Sequence, residues 1–306
     1  MQNNITKELL KLLKSVFILL VLFLGVDKGF GIIMDELYFK QGRSYLYGIE
    51  EANEDVLIFG ASRAMHHYVP SIIEDSLQLT CFNLGSGGQN IYYHYGLIKA
   101  VLARYSPKII ILDLFDIDYY DTPGWNTEKL SAFNPVYYRD TIIKEMVELR
   151  GKTEKIKLFS SFYRYNGEVI RTINRAVRHN NTYFNTKNKG YTPLEGQWKE
   201  NKQSLHRENN RIDSLKVYYI KKCIALCKAK GVPIILFTSP HYIDMGDDNR
   251  YLLHTIAKEY QISYFNYEQS ENFLIHSEYF RDIVHLNHKG AEIYTKMIIA
   301  DINKIK

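Results

Sequence analysis

The chain has 306 residues, 46% of them hydrophobic and 24% charged, with a formal net charge of +5. That length suits one large α/β domain carrying an insertion, and the apolar share supplies a sizeable core. The Lys and Arg residues are scattered rather than gathered into a stripe, which reads as a solvated surface and not as a nucleic-acid face.

The N-terminus places Lys7, Lys11 and Lys14 ahead of an apolar run from Ser15 to Val26. Residues 1–30 therefore read as a membrane anchor, with a cleaved signal segment or a buried helix as alternatives. No clean small-x-small cleavage site follows Val26, and Leu9 to Leu13 extend the apolar face, which favours a retained anchor. The lysines orient it with the N-terminus inside, so the remainder is expected outside the cytoplasm, on the periplasmic or outer face. Residues 31–54 are expected to form a juxtamembrane linker, ending in the acidic cluster Glu50, Glu51 and Glu54.

From Asp55 the pattern is strand and helix in alternation. Val56 to Phe59 is an apolar strand that breaks at Gly60 into a turn presenting Ser62. Leu79 to Asn83 reads as a second strand, followed by the glycine-rich turn Leu84 to Asn90 and a helix from Ile91 to Ala103. Pro107 to Asp113 is a third strand, apolar throughout, as a central parallel strand is. From about 116 to 210 the pattern weakens over a stretch too long for a loop, and an insertion with its own helices is expected there. Ser214 to Lys230 is an amphipathic helix stopped by Gly231. Val232 to Phe237 is a fourth strand, Arg250 to Tyr260 a helix, Ile262 to Phe265 a fifth strand and Lys289 to Ile305 the last helix. The alternation predicts a three-layer α/β/α sandwich around a parallel, five-stranded, flavodoxin-like sheet. Ligands in such sheets sit at the carboxyl ends of the strands, where Ser62, the Gly85 turn, Asp113 and His241 all fall.

Asp282-Ile-Val-His285 puts a carboxylate three residues before a histidine, just ahead of the last helix. A serine hydroxyl becomes a nucleophile when a base takes its proton, and that base needs a third group to orient it. Ser62, His285 and Asp282 supply the three roles. Each has a plainer alternative: Ser62 as a helix cap, His285 as a core or helix-entry histidine, Asp282 as a helix-entry acid. Arg63 has two readings, a partner of a buried carboxylate or a contact for an anionic substrate. His241 is either a lining residue of the substrate pocket or a loop residue.

Other residue sets are weaker. His66 and His67 are adjacent and do not easily face one metal. Asp116, Asp118 and Asp121 lack the glycine and terminal glutamate of a calcium loop. The glycine turn at 85–88 lacks the spacing of a phosphate or dinucleotide loop. The three cysteines, Cys81, Cys223 and Cys227, are no disulfide framework. Cys223 and Cys227 sit four apart on a helix and read as core packing. No metal and no cofactor is expected. The 25 tyrosines admit sugar stacking, but Asn, Lys and Ile are plentiful too and a compositional bias is the better account.

These blocks resemble the SGNH (GDSL-like) hydrolase superfamily. Gly60-Ala-Ser62-Arg63 follows the first strand as the first block of that family does, Asn83-Leu-Gly85-Ser-Gly87-Gly88 is similar to the second block, and Asp282-Ile-Val-His285 to the last. The resemblance implies an oxyanion hole made by the N–H groups of Ser62 and Gly85. The family's third-block asparagine has no counterpart in register, where the chain reads Asp113-Leu-Phe-Asp116, and Asn90 is the substitute considered. An anchor followed by Gly-x-Ser-Arg is also similar to membrane-anchored members that handle acyl groups on envelope polymers. The resemblance thus implies an extracytoplasmic serine esterase or O-acyltransferase acting on an acylated, most simply acetylated, envelope glycan, with a multispanning acyltransferase as a partner. The competing reading is a non-catalytic assembly or binding subunit of such a system that keeps only the sheet.

Overall fold

The structure is a computed structural model that describes residues 2–124, 126–178, 187–198, 211–242, 251–268 and 270–305. Trp125, most of the polar run from 178 to 182 and the stretch 199–210 that belong to the expected insertion lie outside the described residues. The strands are β1 (Val56–Gly60), β2 (Cys81–Asn83), β3 (Ile109–Asp113), β4 (Ile234–Thr238) and β5 (Tyr264–Asn266). The helices, in chain order, are α1 (Gln2–Lys40), α2 (Ser44–Glu50), α3 (Ser62–His67), α4 (Pro70–Leu77), α5 (Ile91–Arg104), α6 (Thr141–Glu148), α7 (Glu154–Lys157), α8 (Ser161–Tyr165), α9 (Val169–Arg178), α10 (Ser214–Ala229), α11 (Leu252–Tyr260), α12 (Glu271–Leu274) and α13 (His288–Asn303).

The chain divides into two compact units. One is Met1–Gln41 with Ser131–Asn181; the other is Gly42–Leu130 with Thr182–Lys306. The second unit holds the sheet, in the order β2-β1-β3-β4-β5 with every neighbouring pair parallel. This is the flavodoxin-like order, and its switch point lies between β1 and β3. Side chains alternate across each strand. Val56, Ile58, Ile109, Ile111, Ile235 and Phe237 share one face and pack with Tyr68, Ile73, Tyr294 and Ile298 of the α3, α4 and α13 layer. The other face is covered by α5 and α10, which pack on each other and on β1 and β4. The result is the three-layer sandwich expected from the alternation.

Local chemistry sets the helix ends. Asn90 caps α5 by accepting from the Tyr92 N–H at 3.2 Å, and Asp213 caps α10 by accepting from Leu215 N at 2.8 Å. Asn287 caps α13 through Gly290 N at 3.0 Å. All three cysteines are buried and free, as core packing requires. Tyrosine is largely a core residue here: Tyr68, Tyr92, Tyr93, Tyr120 and Tyr294 are all under 3% exposed.

The first unit revises the expected organisation of the N-terminus. Residues 31–40 do not form a linker, because α1 continues without a break to Lys40, and residues 44–50 are helical as well. The extension is buried on one side by the inserted helices, which the linear pattern of residues 31–40 does not reveal. Ile5–Lys40 is long and apolar enough to cross a membrane, and none of its most apolar stretch is buried. The expected insertion at 116–210 splits: 131–181 belongs with α1, whereas 116–130 and the part from 182 belong with the sheet.

Gly60 ends β1 at φ +143°, and a Cβ there would lie 2.6 Å from the Asp113 carbonyl oxygen and 2.8 Å from Ala64 Cβ. Backbone strain and overpacking together predict that Gly60→Ala destabilises the protein by about 3 kcal/mol. The urea midpoint of unfolding reads this directly, and an unchanged midpoint contradicts the packing described.

Candidate active site

The sharp turn at Gly60 places Ser62 at the start of α3, beside the switch point. Gly60 is in register with Asp113 across β1 and β3, so the two strand ends open side by side. From the far end of the chain, the segment before α13 folds back to meet it. Arg281 N donates to His285 O at 2.8 Å, which closes a tight turn over residues 281–285.

Within that turn, Asp282 Oδ1 accepts from Val284 N at 2.9 Å and His285 N at 3.0 Å. His285 Nδ1 lies 3.0 Å from each carboxylate oxygen of Asp282, and His285 Nε2 lies 2.7 Å from Ser62 Oγ. A carboxylate only accepts, so Nδ1 carries the proton and Nε2 accepts from the serine hydroxyl. The structure thus brings together the three side chains singled out in the sequence, 223 residues apart at the Ser–His contact. Burial works to raise the Asp282 pKa, but the hydrogen bonds from His285 and from the Val284 and His285 N–H groups outweigh it and hold the carboxyl below its usual value. Asp282 therefore contributes stability above pH ~4, its unfolded value. That contribution is lost as the pH falls through the lower folded value.

Two histidines of α3 frame this turn. His67 is fully buried, accepts from Leu286 N at 2.9 Å through Nε2, and is 2.8 Å from Ser239 Oγ through Nδ1. The Leu286 contact fixes the tautomer: Nδ1–H donates to Ser239. Burial pushes the His67 pKa well down, with Arg63 adding to it, so the ring is neutral. His66 donates Nδ1–H to the Thr192 carbonyl at 2.6 Å, and its ring meets the His285 ring edge-on at 5.6 Å. Both ring nitrogens of His67 are thus engaged with protein, and the pair makes no metal site. Among the described residues no group of three His, Cys, Asp or Glu is placed to hold a metal. In the acidic cluster, Asp116 Oδ1 accepts from Ile117 N at 2.6 Å and Asp118 Oδ2 from Phe115 N at 2.9 Å, so these carboxylates organise the turn after β3.

Arg63 is not placed to bind substrate. It is 2% exposed, donates to Ser239 O at 2.9 Å and Leu114 O at 2.8 Å, pairs with Asp113 at 3.2 Å and stacks on Phe115 at 4.0 Å. Asp113 in turn accepts from Tyr68 Oη at 2.6 Å and Ser239 N at 3.2 Å. This buried cluster ties α3 to the ends of β3 and β4. His241 is likewise interior, 1% exposed, edge-on to Phe115 at 4.9 Å and 3.9 Å from Glu268. Its place at a strand end pointed to the pocket, but the turn after β4 rotates it into the core.

The expected oxyanion donors are revised too. Ser62 N–H is in the first turn of α3, where the ladder begins only at Met65 N to Ala61 O, so its N–H has no partner within the helix. Gly85 N–H donates to Asn83 Oδ1 at 2.9 Å and is therefore not presented to the site. Gly85 is needed for another reason: a Cβ there would lie 2.4 Å from Met65 N, so the turn packs directly under α3. Asn83 locks that contact by donating to Ala64 O at 2.7 Å and Tyr68 O at 3.0 Å. The glycine that abuts the serine is Gly87, where an added Cβ would be 3.8 Å from Ser62 Cβ. Asn90 is 0% exposed, caps α5 and donates to Asn126 O at 3.0 Å, so it serves the helix. Asn83, His67 and Asp113 were visible only as a strand end, a histidine pair and a missing asparagine; their roles come from contacts across the sheet.

A serine after β1, a glycine turn after β2 and an Asp-x-x-His before the last helix meet at the carboxyl ends of a 2-1-3-4-5 sheet. The sheet order is flavodoxin-like. No family model matches the chain, and no curated protein matches it. Among solved structures the chain is similar to a Bacteroides fragilis protein described as a "putative acylhydrolase", at 15% identity and a TM-score of 0.43, over 86% of this chain and 95% of that one. It is also similar to a GDSL-like lipase from Bacteroides thetaiotaomicron, at 14% identity and a TM-score of 0.40, over 82% of this chain and 88% of that one.

Replacing His67 with phenylalanine puts a slightly larger apolar ring in the same place and strands the buried Leu286 N–H. The expected loss is about 1–3 kcal/mol, read by chemical denaturation. A His67→Phe protein as stable as the parent contradicts the anchoring role.

Proposed function

We propose that this chain is a serine ester hydrolase or O-acyltransferase that works through Ser62, His285 and Asp282. The observation that carries the reading is the 2.7 Å contact of Ser62 Oγ with a His285 ring whose other nitrogen is 3.0 Å from the Asp282 carboxylate. Ser62 Oγ attacks the ester carbonyl carbon as its proton passes to His285 Nε2. Asp282 holds the imidazole in the reacting tautomer and stabilises the imidazolium that forms. The developing oxyanion is taken up by Ser62 N–H, which has no partner within α3. Each such donor is worth a factor of about 10²–10³ in rate. Collapse expels the alcohol, which takes the proton from Nε2 and leaves an acyl-Ser62 ester. Water or a sugar hydroxyl then gives up its proton to Nε2 and attacks that ester; the acid or the new ester leaves, and Ser62 Oγ takes the proton back from Nε2. Water makes the protein an esterase and a hydroxyl makes it a transferase; the same residues serve both.

The substrate class we assign is an acyl ester, most simply acetyl, on a cell-envelope glycan. Support comes from α1, which is unburied over its most apolar stretch and whose apolar run from Ser15 to Val26 is preceded by lysines that favour an inside N-terminus. That orientation anchors the chain and places the sheet on the outer side of the membrane. If acyl groups arrive from the cytoplasm, a multispanning acyltransferase supplies them. The commitment of Gly85 N–H to Asn83 favours a second reading, a non-catalytic subunit that retains the sheet.

Ser62→Ala is expected to lower turnover of an acetyl ester by on the order of 10⁴-fold or more while the circular dichroism and unfolding midpoint are retained. Retained turnover sinks the assignment of Ser62. Full complementation in cells by a Ser62→Ala, His285→Ala double variant selects the non-catalytic subunit.

A further inference from the structure

α1 carries two kinds of surface on one continuous helix. Through Val26 its large apolar side chains apart from Leu24 are about half exposed or more, with Ile18 at 47%, Phe23 at 55% and Val26 at 63%. From Asp27 one face of the helix is covered, while Ile32 and Ile33 on another face stay exposed. Asp27 is 1% exposed and accepts from Ser160 Oγ at 2.7 Å, Ser161 N at 2.9 Å and Phe162 N at 3.0 Å. Gly31 lets α8 approach, since a Cβ there would lie 2.4 Å from Ser161 Oγ, and Asp35 pairs with Arg164 at 3.2 Å. The N-terminus of α8 is therefore pinned to the residue at which the apolar run stops.

That pinning fixes a depth. A bilayer core of about 30 Å takes about 20 helical residues, which from Leu9 ends at Lys28. Asp27 and Lys28 then stand at headgroup level, and so do the side chains around the start of α8. Those side chains are apolar and open: Ile156 is 77% exposed, Phe159 57% and Phe162 39%. Phe162 stacks on Phe30 at 4.5 Å and meets Phe23 at 6.3 Å, so its ring continues the exposed surface of α1. Lys28 Nζ lies 3.9 Å over the Phe159 ring.

We propose that the corner between α7 and α8, carrying Ile156, Phe159 and Phe162, is a membrane-interface collar whose partner is the headgroup–acyl boundary of the lipid bilayer. The proposal rests on the reading of α1 as a spanning helix and adds a second, separate lipid contact made by the insertion. Three of the nearby lysines already sit in ion pairs: Lys28 with Asp27 at 3.3 Å, Lys155 with Glu148 at 3.2 Å and Lys157 with Glu154 at 2.9 Å. Insertion of apolar side chains, not attraction to anionic lipid, is thus the driving force, and zwitterionic lipid suffices. The collar sets the tilt and rotation of α1 where it leaves the membrane, by holding one side of that helix at a fixed depth.

The test uses the full chain in phosphatidylcholine proteoliposomes, with a fluorescent label on Ile18→Cys, Phe159→Cys or Ile170→Cys and nitroxide lipids carrying the quencher deep or shallow. Ile170 is 77% exposed on α9, whose Thr172 carbonyl accepts from Gln41 at 2.7 Å. Gln41 follows Asp27 by about 20 Å of helix, so Ile170 reports the same unit away from lipid. The expected result is deep quenching at Ile18, and shallow quenching at Phe159 several-fold above Ile170 and unchanged by salt. Quenching at Ile18 with Phe159 no higher than Ile170 overturns the collar alone. An unquenched Ile18 overturns the spanning helix and the collar with it.

Discussion

The site depends on one buried hydrogen bond between distant parts of the chain, from Leu286 N to His67 Nε2 at 2.9 Å. Leu286 follows His285 directly, so this bond sets where the imidazole backbone lies relative to α3. Ser62 begins that same short helix. The two reacting groups are thereby referenced to one rigid element rather than to two loops. His67 can do this only as a neutral ring, and burial keeps it so. Its other nitrogen reaches Ser239, whose backbone is held by Arg63 and Asp113. A buried ion pair adds little net stability, yet removing one partner is costly. Such a pair holds geometry, and here the geometry it holds is the end of β1, β3 and β4.

The sheet was legible in the sequence because its strands are short apolar runs ended by glycine or polar turns, and all five appear where the alternation put them. Ser62, His285 and Asp282 were legible for a related reason. Each sits at a strand or helix end, where backbone direction alone fixes its neighbourhood. Arg63 and His241 occupy similar positions, and for each the sequence leaves a substrate contact and a structural role open; Arg63 takes the structural one, paired with Asp113. Whether a strand-end side chain turns outward or inward depends on partners such as Asp113, Leu114 and Phe115, which come from another strand. Gly85 was misassigned for the opposite reason: its value lies in what it lacks, a Cβ that would strike Met65 N. The acceptor for its N–H is two residues away, but that bond forms only because Asn83 is held by α3.

The insertion was legible as an interruption and not as a structure. Its helices are short, from four to ten residues, and α8 and α9 pack on α1, more than a hundred residues earlier in the chain, so no neighbouring segment announces the fold. Asp27 makes the point. In sequence it is an acid at the end of an apolar run; in the fold it caps α8, 133 to 135 residues later. The same contact belongs to a longer seam that turns what looked like a linker into the end of a long helix, covered on one side by α8 and α9.

The account stands on Ser62 being activated by His285. Labelling the intact protein with a fluorophosphonate and mapping the adduct by peptide mass spectrometry tests that activation without knowledge of the natural ester. The account predicts phosphonylation at Ser62, greatly slowed in a His285→Ala variant that remains folded. No adduct on Ser62 in the folded parent, or equal labelling in the variant, contradicts it.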